Sequence, residues 1–236
     1  AEMFGVNSIS STMTAQEIAS DKAKAKIQEA LNDAKEAARS DWAIANHEKL
    51  QEQAAKEKAE ELAKELGDNA CAFYADVRDV EQVKAMINEI KTKFNQSPSI
   101  LVNNAMAEYV FNGDERKFAD EISWNEITQH LDVTLKGSLN LIQTLIPSMK
   151  KNSHGRIINI GTNLVQNPVV PYHDYTIAKA ALLGLTRTFA KDLGSMGITV
   201  NMISGGLLKI TDASSATPDF VFDAIAEMTI AKNYNN

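Results

Sequence analysis

Residues Arg156 to Lys191 read R-I-I-N-I-G-T-N-L-V-Q-N-P-V-V-P-Y-H-D-Y-T-I-A-K-A-A-L-L-G-L-T-R-T-F-A-K. The run Arg156 to Ile160 is short, apolar and rich in β-branched residues, which predicts a buried strand. It ends in Gly161 and Thr162, and a loop with two prolines follows, Pro168 and Pro171. Tyr175 and Lys179 then stand four apart at the start of an alanine- and leucine-rich helix. That spacing sets phenol and ammonium on one helix face, one turn apart. A lysine so placed is expected to lower the phenol from its ordinary pKa of about 10. The pair can then pass a proton to or from a substrate oxygen near neutral pH. Tyr-x-x-x-Lys alone is a short pattern, commonly a solvated helix face. The strand before it and the Thr162 hydroxyl give it more weight.

Outward from this stretch, buried strands and helices alternate. Ala70 to Ala75 (A-C-A-F-Y-A) reads as a strand, and Asp79 as the cap of a helix to Phe94 with Val83, Met86, Ile87 and Ile90 at helical spacing. Pro98 to Val102 reads as a strand ending in Asn103-Asn104-Ala105. Ser123-Trp-Asn-Glu126 matches a capping box that opens a long helix to about Met149, with an adjustment near Pro147. After the helix at 173 come a strand, Thr199 to Ile203, and a helix from about Pro218 to Met228. Alternation of this kind predicts an α/β fold, a doubly wound parallel sheet covered on both faces.

The N-terminal part reads differently. Residues 15–39 and 48–66 are rich in Ala, Lys, Glu and Gln, with a thin apolar stripe, which predicts solvated helices, the second closed by Gly67. Asp41 to Asn46 reads as a very short strand. The expectation is one domain over 1–236, atypical and helical over 1–57.

A net charge of −7 excludes a broad nucleic-acid-binding surface. No apolar run approaches the ~20 residues of a membrane span, and Ala1 to Ser11 do not read as a secretory signal. The expected location is the cytoplasm. The lone cysteine, Cys71, is expected in the core. His47, His130, His154 and His173 lack metal-ligand spacing and are expected at the surface or at helix ends. Trp124 is expected to pack at its helix start, and Trp42 to be a core or docking residue. Glu108, Tyr109 and Phe111 read equally as a site rim and as a surface loop.

The region from about 58 to 228 resembles the short-chain dehydrogenase/reductase family, and within it the 3-oxoacyl-[acyl-carrier-protein] reductases. The resemblance rests on Asp76-Val77, Asn103-Asn104-Ala105, I-N-I-G-T at 158–162, Tyr175-x-x-x-Lys179 and V-N-M-I-S-G-G at 200–206, five short motifs in order. It implies a Rossmann-type oxidoreductase that reduces a small or acyl-carrier-bound carbonyl with NADP or NAD, in fatty acid biosynthesis or similar chemistry. Tyr175 would donate the proton, Lys179 would lower its pKa and hold the nicotinamide ribose, and Thr162 would stand in for the family's serine. Thr134 replaces the asparagine that supports the family's proton relay. Asp76 and Val77 would contact adenine, Asn104 and Ala105 would line the cofactor path, and Leu208 would lie near the carboxamide. A homodimer or homotetramer built on the helices near 124–149 and 174–193 is implied as well.

The chain departs from the family at Thr134, and at Gly205, where the family has proline. It also departs in its N-terminal part, where only Gly5 and Gly67 precede Ala70. The family's glycine-rich turn, whose N–H groups cradle a pyrophosphate, has no match there. The expectation is an incomplete or unreliably assigned N-terminal segment. A trimmed chain, or a relative that gave up nucleotide binding, are the alternatives. The last of these makes the protein a non-catalytic scaffold rather than an enzyme.

Overall fold

The structure, a computed structural model, describes residues 53–107, 116–208 and 217–228. The expectations for residues 15–39, Trp42, His47, and Glu108 to Phe111 lie outside these. The chain separates into two compact units, one ending at Phe73 and the other beginning at Tyr74. In the first, helix α1 covers 53–66 and stops at Gly67, whose φ of +81° is the left-handed conformation expected of a C-terminal glycine.

The second unit holds a parallel sheet of three strands in the order β1-β2-β3: Ile100–Asn103, Gly155–Thr162 and Ile198–Gly205. Each crossover is helical. Helix α2, Val80–Phe94, precedes β1. The stretch Trp124–Lys151 joins β1 to β2, and α5, His173–Leu193, joins β2 to β3. Helix α6, Asp219–Met228, follows. This is the Rossmann-type α/β architecture expected, a parallel sheet with flanking helices.

The local sequence accounts for the boundaries. The Asp79 carboxylate accepts from the N–H groups of Glu81 and Gln82 and starts α2. The capping box forms as expected: Ser123 Oγ accepts from Glu126 N, and the Glu126 carboxylate accepts from Ser123 N at 2.9 Å. Lys117 and Ser123 hold the Glu126 carboxyl down to about 2. Gly197, at φ +75°, lets β3 start beside the 152–154 turn, where a Cβ would strike the Ser153 carbonyl.

Three expectations need correction. The long helix does not break at Pro147, which lies inside α4, Ser138–Lys151. Instead α3, Trp124–Leu131, passes into a π-helical stretch, Asp132–Gly137, before α4. At its end Gly137 meets Val77: a Cβ there would sit 2.5 Å from Val77 Cγ2, so the wide turn and the bare glycine let the helix touch residue 77. Secondly, Ala70 to Ala75 form no strand. A strand exists only when its N–H and C=O groups join a ladder with a neighbour, and the sheet among the described residues consists of β1, β2 and β3. Cys71 is accordingly half-buried rather than a core residue. Thirdly, Trp124 does not pack at its helix start but is 71% exposed.

The core lies on one face of the sheet. Ile157, Ile198 and Val200 alternate inward and meet Ile87 of α2, Ile142, Leu145 and Met149 of α4, and Leu193 of α5. Val83 and Ile87 are buried and Met86 and Ile90 pack beside them, as the spacing predicted. On the opposite face Ile100, Val102 and Ile203 are exposed.

Candidate active site

The C-terminal end of β2 and the first two turns of α5 bring Thr162, Tyr175 and Lys179 together. The Thr162 hydroxyl stands close enough to the Tyr175 phenol to favour its ionised form. One turn along α5, Lys179 is 3% exposed, and its ammonium donates to the Ile160 carbonyl at 2.7 Å, two residues before Thr162. The same ammonium stands 5.7 Å from the Tyr175 ring centroid.

The electrostatics differ from the expectation. Burial pushes the Tyr175 phenol above its ordinary 10.0, and the Thr162 hydroxyl opposes that rise. Lys179 contributes no lowering. Its own amine is desolvated, which pulls its pKa below the ordinary lysine value. The phenol is therefore a well-held acid at neutral pH.

Helix α3 docks on α5 beside this corner. His130, expected at a surface or helix end, does fall in the last turn of α3, but it is buried. Its Nε2 lies 3.6 Å from Oδ2 of Asp174, which is also buried and whose Oδ1 accepts from Tyr175 N at 2.9 Å. Desolvation lowers the imidazole pKa, Asp174 opposes this, and Arg116 and Lys179 add to it. The Arg116 guanidinium also stacks over the Tyr172 ring at 5.5 Å, just before α5. Thr134 sits in the π-helical stretch, 2% exposed, with no hydrogen-bond partner for its hydroxyl.

The other expected residues form a second group. Val77, Asn104 and Ala105 line a cavity of about 40 Å³ with Val102, Val133 and Gly137. The Asn140 amide holds the Val77 carbonyl at 2.9 Å. Asp76 is clasped by Arg78, whose Nη2 donates to Oδ2 at 2.7 Å, and this pairing holds the carboxyl below its usual range. Leu208 is exposed beyond β3. A larger apolar groove of about 460 Å³ runs along residues 168–173 and ends at Thr176 and Ile177, with His173 in its wall. Thr176 Oγ1 is buried and without a partner.

Sequence reading missed Asp174, Asn159 and Thr186. The last two are buried polar side chains that hydrogen-bond each other at 2.8 Å. Their signal was a polar residue at an inward position of an apolar strand, and another seven residues after Lys179 on the same helix face.

A parallel Rossmann-type sheet with hydroxyl, phenol and ammonium at one strand end defines a class of oxidoreductase folds. Comparison with known proteins narrows it. Residues 30–235 match the family model described as enoyl-(acyl carrier protein) reductase. The chain is similar to 3-oxoacyl-[acyl-carrier-protein] reductase FabG of Staphylococcus aureus (strain Mu50), 36% identical over 169 residues, 70% of this chain and 65% of the relative. FabG of Escherichia coli (strain K12) is 30% identical over 166 residues, 68% of this chain and 63% of its own. Among solved structures, the NADH complex of 3-ketoacyl-(acyl-carrier-protein) reductase from Brucella melitensis aligns with a TM-score of 0.58 and 26% identity, over 64% of this chain and 62% of that one. A gluconate 5-dehydrogenase from Burkholderia cenocepacia J2315, in complex with NADP and tartrate, aligns with a TM-score of 0.64 and 27% identity, over 76% and 69%. The chain belongs to the short-chain dehydrogenase/reductase family.

The described residues fit one half of a dinucleotide. Lys179 and Tyr175 fit the nicotinamide ribose, a polyol that takes hydrogen bonds from an ammonium and a phenol. The pyrophosphate needs several converging N–H groups on backbone without Cβ atoms. Residues 1–69 hold only Gly5 and Gly67, so that part of the fit is not met by this sequence.

Proposed function

We propose that this protein reduces a carbonyl compound with NADPH or NADH, with Tyr175 as proton donor. The observation that carries the reading is the gathering of the Thr162 hydroxyl, the Tyr175 phenol and the buried Lys179 ammonium at one end of β2, with Lys179 fixed on the Ile160 carbonyl at 2.7 Å. Tyr175 and Lys179 would hold the ribose of a dinucleotide, which when bound would supply the hydride. The Thr162 hydroxyl holds the carbonyl oxygen, and the Tyr175 phenol gives it a proton as negative charge develops there. Lys179, held on the Ile160 carbonyl one turn behind the phenol, would hydrogen-bond the ribose of the dinucleotide. The apolar groove at 168–177 suits a substrate with an aliphatic arm, such as a 3-oxoacyl thioester on its carrier.

Cytoplasmic placement belongs to the same reading. No described helix is long and apolar enough to cross a membrane. So does pairing of two copies through α4 and α5, where Leu139 and Leu183 stay half-buried. Light scattering at micromolar concentration should give a dimer or tetramer mass, and a monomer mass would remove pairing from the reading.

Turnover of a short 3-oxoacyl thioester, followed by NADPH or NADH absorbance, tests the reaction. Tyr175→Phe keeps the ring and removes the transferable proton, so turnover should fall about 10²–10⁴-fold. Wild-type turnover in this variant would overturn the role of Tyr175.

A second reading, a scaffold that keeps the fold without the cofactor, is favoured by the glycine content of residues 1–69. Calorimetric titration of the 236-residue chain with each dinucleotide separates the two. A micromolar dissociation constant supports the enzyme, and absence of binding supports the scaffold.

A further inference from the structure

Four groups under the site form a hydrogen-bond chain whose direction is fixed. Leu182 O can only accept, so the proton of Thr186 Oγ1, 2.7 Å away, points to it. Thr186 Oγ1 must then accept from its other neighbour, which is Asn159 Nδ2 at 2.8 Å. That orients the Asn159 amide and turns its Oδ1 toward Asn103, whose Nδ2 donates at 2.7 Å. Asn159 is 0% exposed, and Asn103 and Thr186 are buried with it. The chain thus ties the end of β1 to the middle of β2 and the middle of α5. Its links stand next to the site on both elements. Ile160, which follows Asn159, offers the carbonyl that receives Lys179 Nζ at 2.7 Å. Thr186 lies two turns beyond Lys179 on the same face of α5.

We propose that Asn159 and Thr186 are positioning residues that fix the height of α5 along β2. At that height Lys179 reaches the Ile160 carbonyl and Tyr175 reaches Thr162. A helix packed only by apolar side chains can slide by a fraction of an ångström at little cost, because dispersion contacts are non-directional. A directed bond between a fully buried amide and a buried hydroxyl resists such a slide, since any loss leaves a desolvated polar group unpaired. The turnover arm of the test rests on the proposed carbonyl reduction. The lysine arm does not.

The experiment compares Thr186→Val, which replaces the hydroxyl by a methyl group of similar size, with Thr186→Ser, which keeps it. The protein is grown with lysine carrying ¹³C at Cε, and the Lys179 signal, assigned by its loss in Lys179→Met, is followed against pH. In the wild type and in Thr186→Ser the midpoint should lie below the ordinary lysine value of 10.5. In Thr186→Val it should move up toward that value, as the ammonium leaves Ile160 and gains water. A wild-type midpoint in Thr186→Val overturns the proposal. In the turnover arm, Thr186→Val should lower kcat about 10–10²-fold with KM for the carbonyl substrate held, as misplacement by about 1 Å does. Thr186→Ser should restore it. Thr186→Ala replaces the valine variant if that one does not fold. If neither folds while the serine variant does, the link is structural only and the proposal falls. Loss of turnover in Tyr175→Phe beside unchanged kcat in Thr186→Val would reject the positioning role alone. Unchanged turnover in Tyr175→Phe would reject the reaction and leave the lysine titration to judge the positioning.

Discussion

The two ends of β2 and β1 have different means of support. At β2, the strand is paired on both sides, α5 covers it, and Thr162, Tyr175 and Lys179 are held by bonds that reach across the sheet and helix. At β1, pairing is on one side among the described residues, Ile100 and Val102 face outward, and the 76–82 segment beside it is held mainly by its own short-range bonds. Long-range contacts fix a geometry to within tenths of an ångström, whereas local ones fix only a turn. The corner of Thr162, Tyr175 and Lys179 is therefore the more firmly positioned of the two. The segment expected near adenine is a short turn tethered by Arg78 and Asn140.

The largest expected effect tests what the buried lysine contributes to that corner. Lys179→Met should remove carbonyl reduction on the scale of general acid–base loss, about 10²–10⁴-fold. Its effect on stability should be of the other kind. Burial holds the Lys179 pKa below 10.5 in the folded state. The unfolded chain therefore binds that proton more tightly at every pH below 10.5, and at neutral pH the charge weakens the fold. The melting temperature of Lys179→Met should hold or rise. A fall beyond ~4 °C, about 1 kcal/mol or more in a chain of this size, would show that the Ile160 bond outweighs the desolvation.

The next effect separates the two faces of the sheet. Ile157→Ala cuts into the core and should cost about 2–5 kcal/mol. Ile100→Thr, at a position 59% exposed on the other face, should change stability by no more than about 0.5 kcal/mol. Urea midpoints at constant slope would read both. Comparable losses would mean that the second face is covered in solution.

The same contrast explains what could be read in the sequence. Strands β2 and β3 and helices α2 and α5 were legible because their signals are local: an apolar run, a helical period, an aspartate cap. The capping box at Ser123 was legible for the same reason. Ala70 to Ala75 misled because strand composition is half of a strand, and the other half is a partner that lies elsewhere in the chain. Tyr175 and Lys179 were legible from their spacing, and Thr162 from its distance to them. The direction of the Tyr175 shift was not, because burial raises the phenol and the Lys179 ammonium is turned to Ile160 instead. The π-helical stretch has no signature in D-V-T-L-K-G, and what it accompanies, the close approach of Gly137 to Val77, joins residues sixty apart in sequence. His130 misled because a lone histidine near a helix end is ordinarily solvated, and only the docking of α3 on α5 buries it.

That joint gives the smallest expected effect, a pH dependence of stability. The groups that act on the His130 imidazole are Asp174, Arg116 and Lys179. Desolvation, with help from the two cations, lowers its pKa below the ordinary 6.5, and the Asp174 carboxylate recovers part of the shift. The unfolded chain then takes up the imidazole proton first as the solution is acidified. The histidine's contribution is complete above about pH 6.5 and is lost as pH falls through that value toward the folded-state pKa. Carboxylates titrate as well on the way to pH 5, so the informative quantity is a difference between proteins. His130→Gln keeps a polar side chain that stays neutral throughout. The melting temperature of the wild type should therefore fall more between pH 7.5 and 5.5 than that of His130→Gln. Asp174→Asn should steepen the wild-type trend, because it removes the one charge that favours the imidazolium. Parallel curves for wild type and His130→Gln would mean that the imidazole takes no proton in this window, and that the α3–α5 joint beside Tyr175 is insensitive to acid.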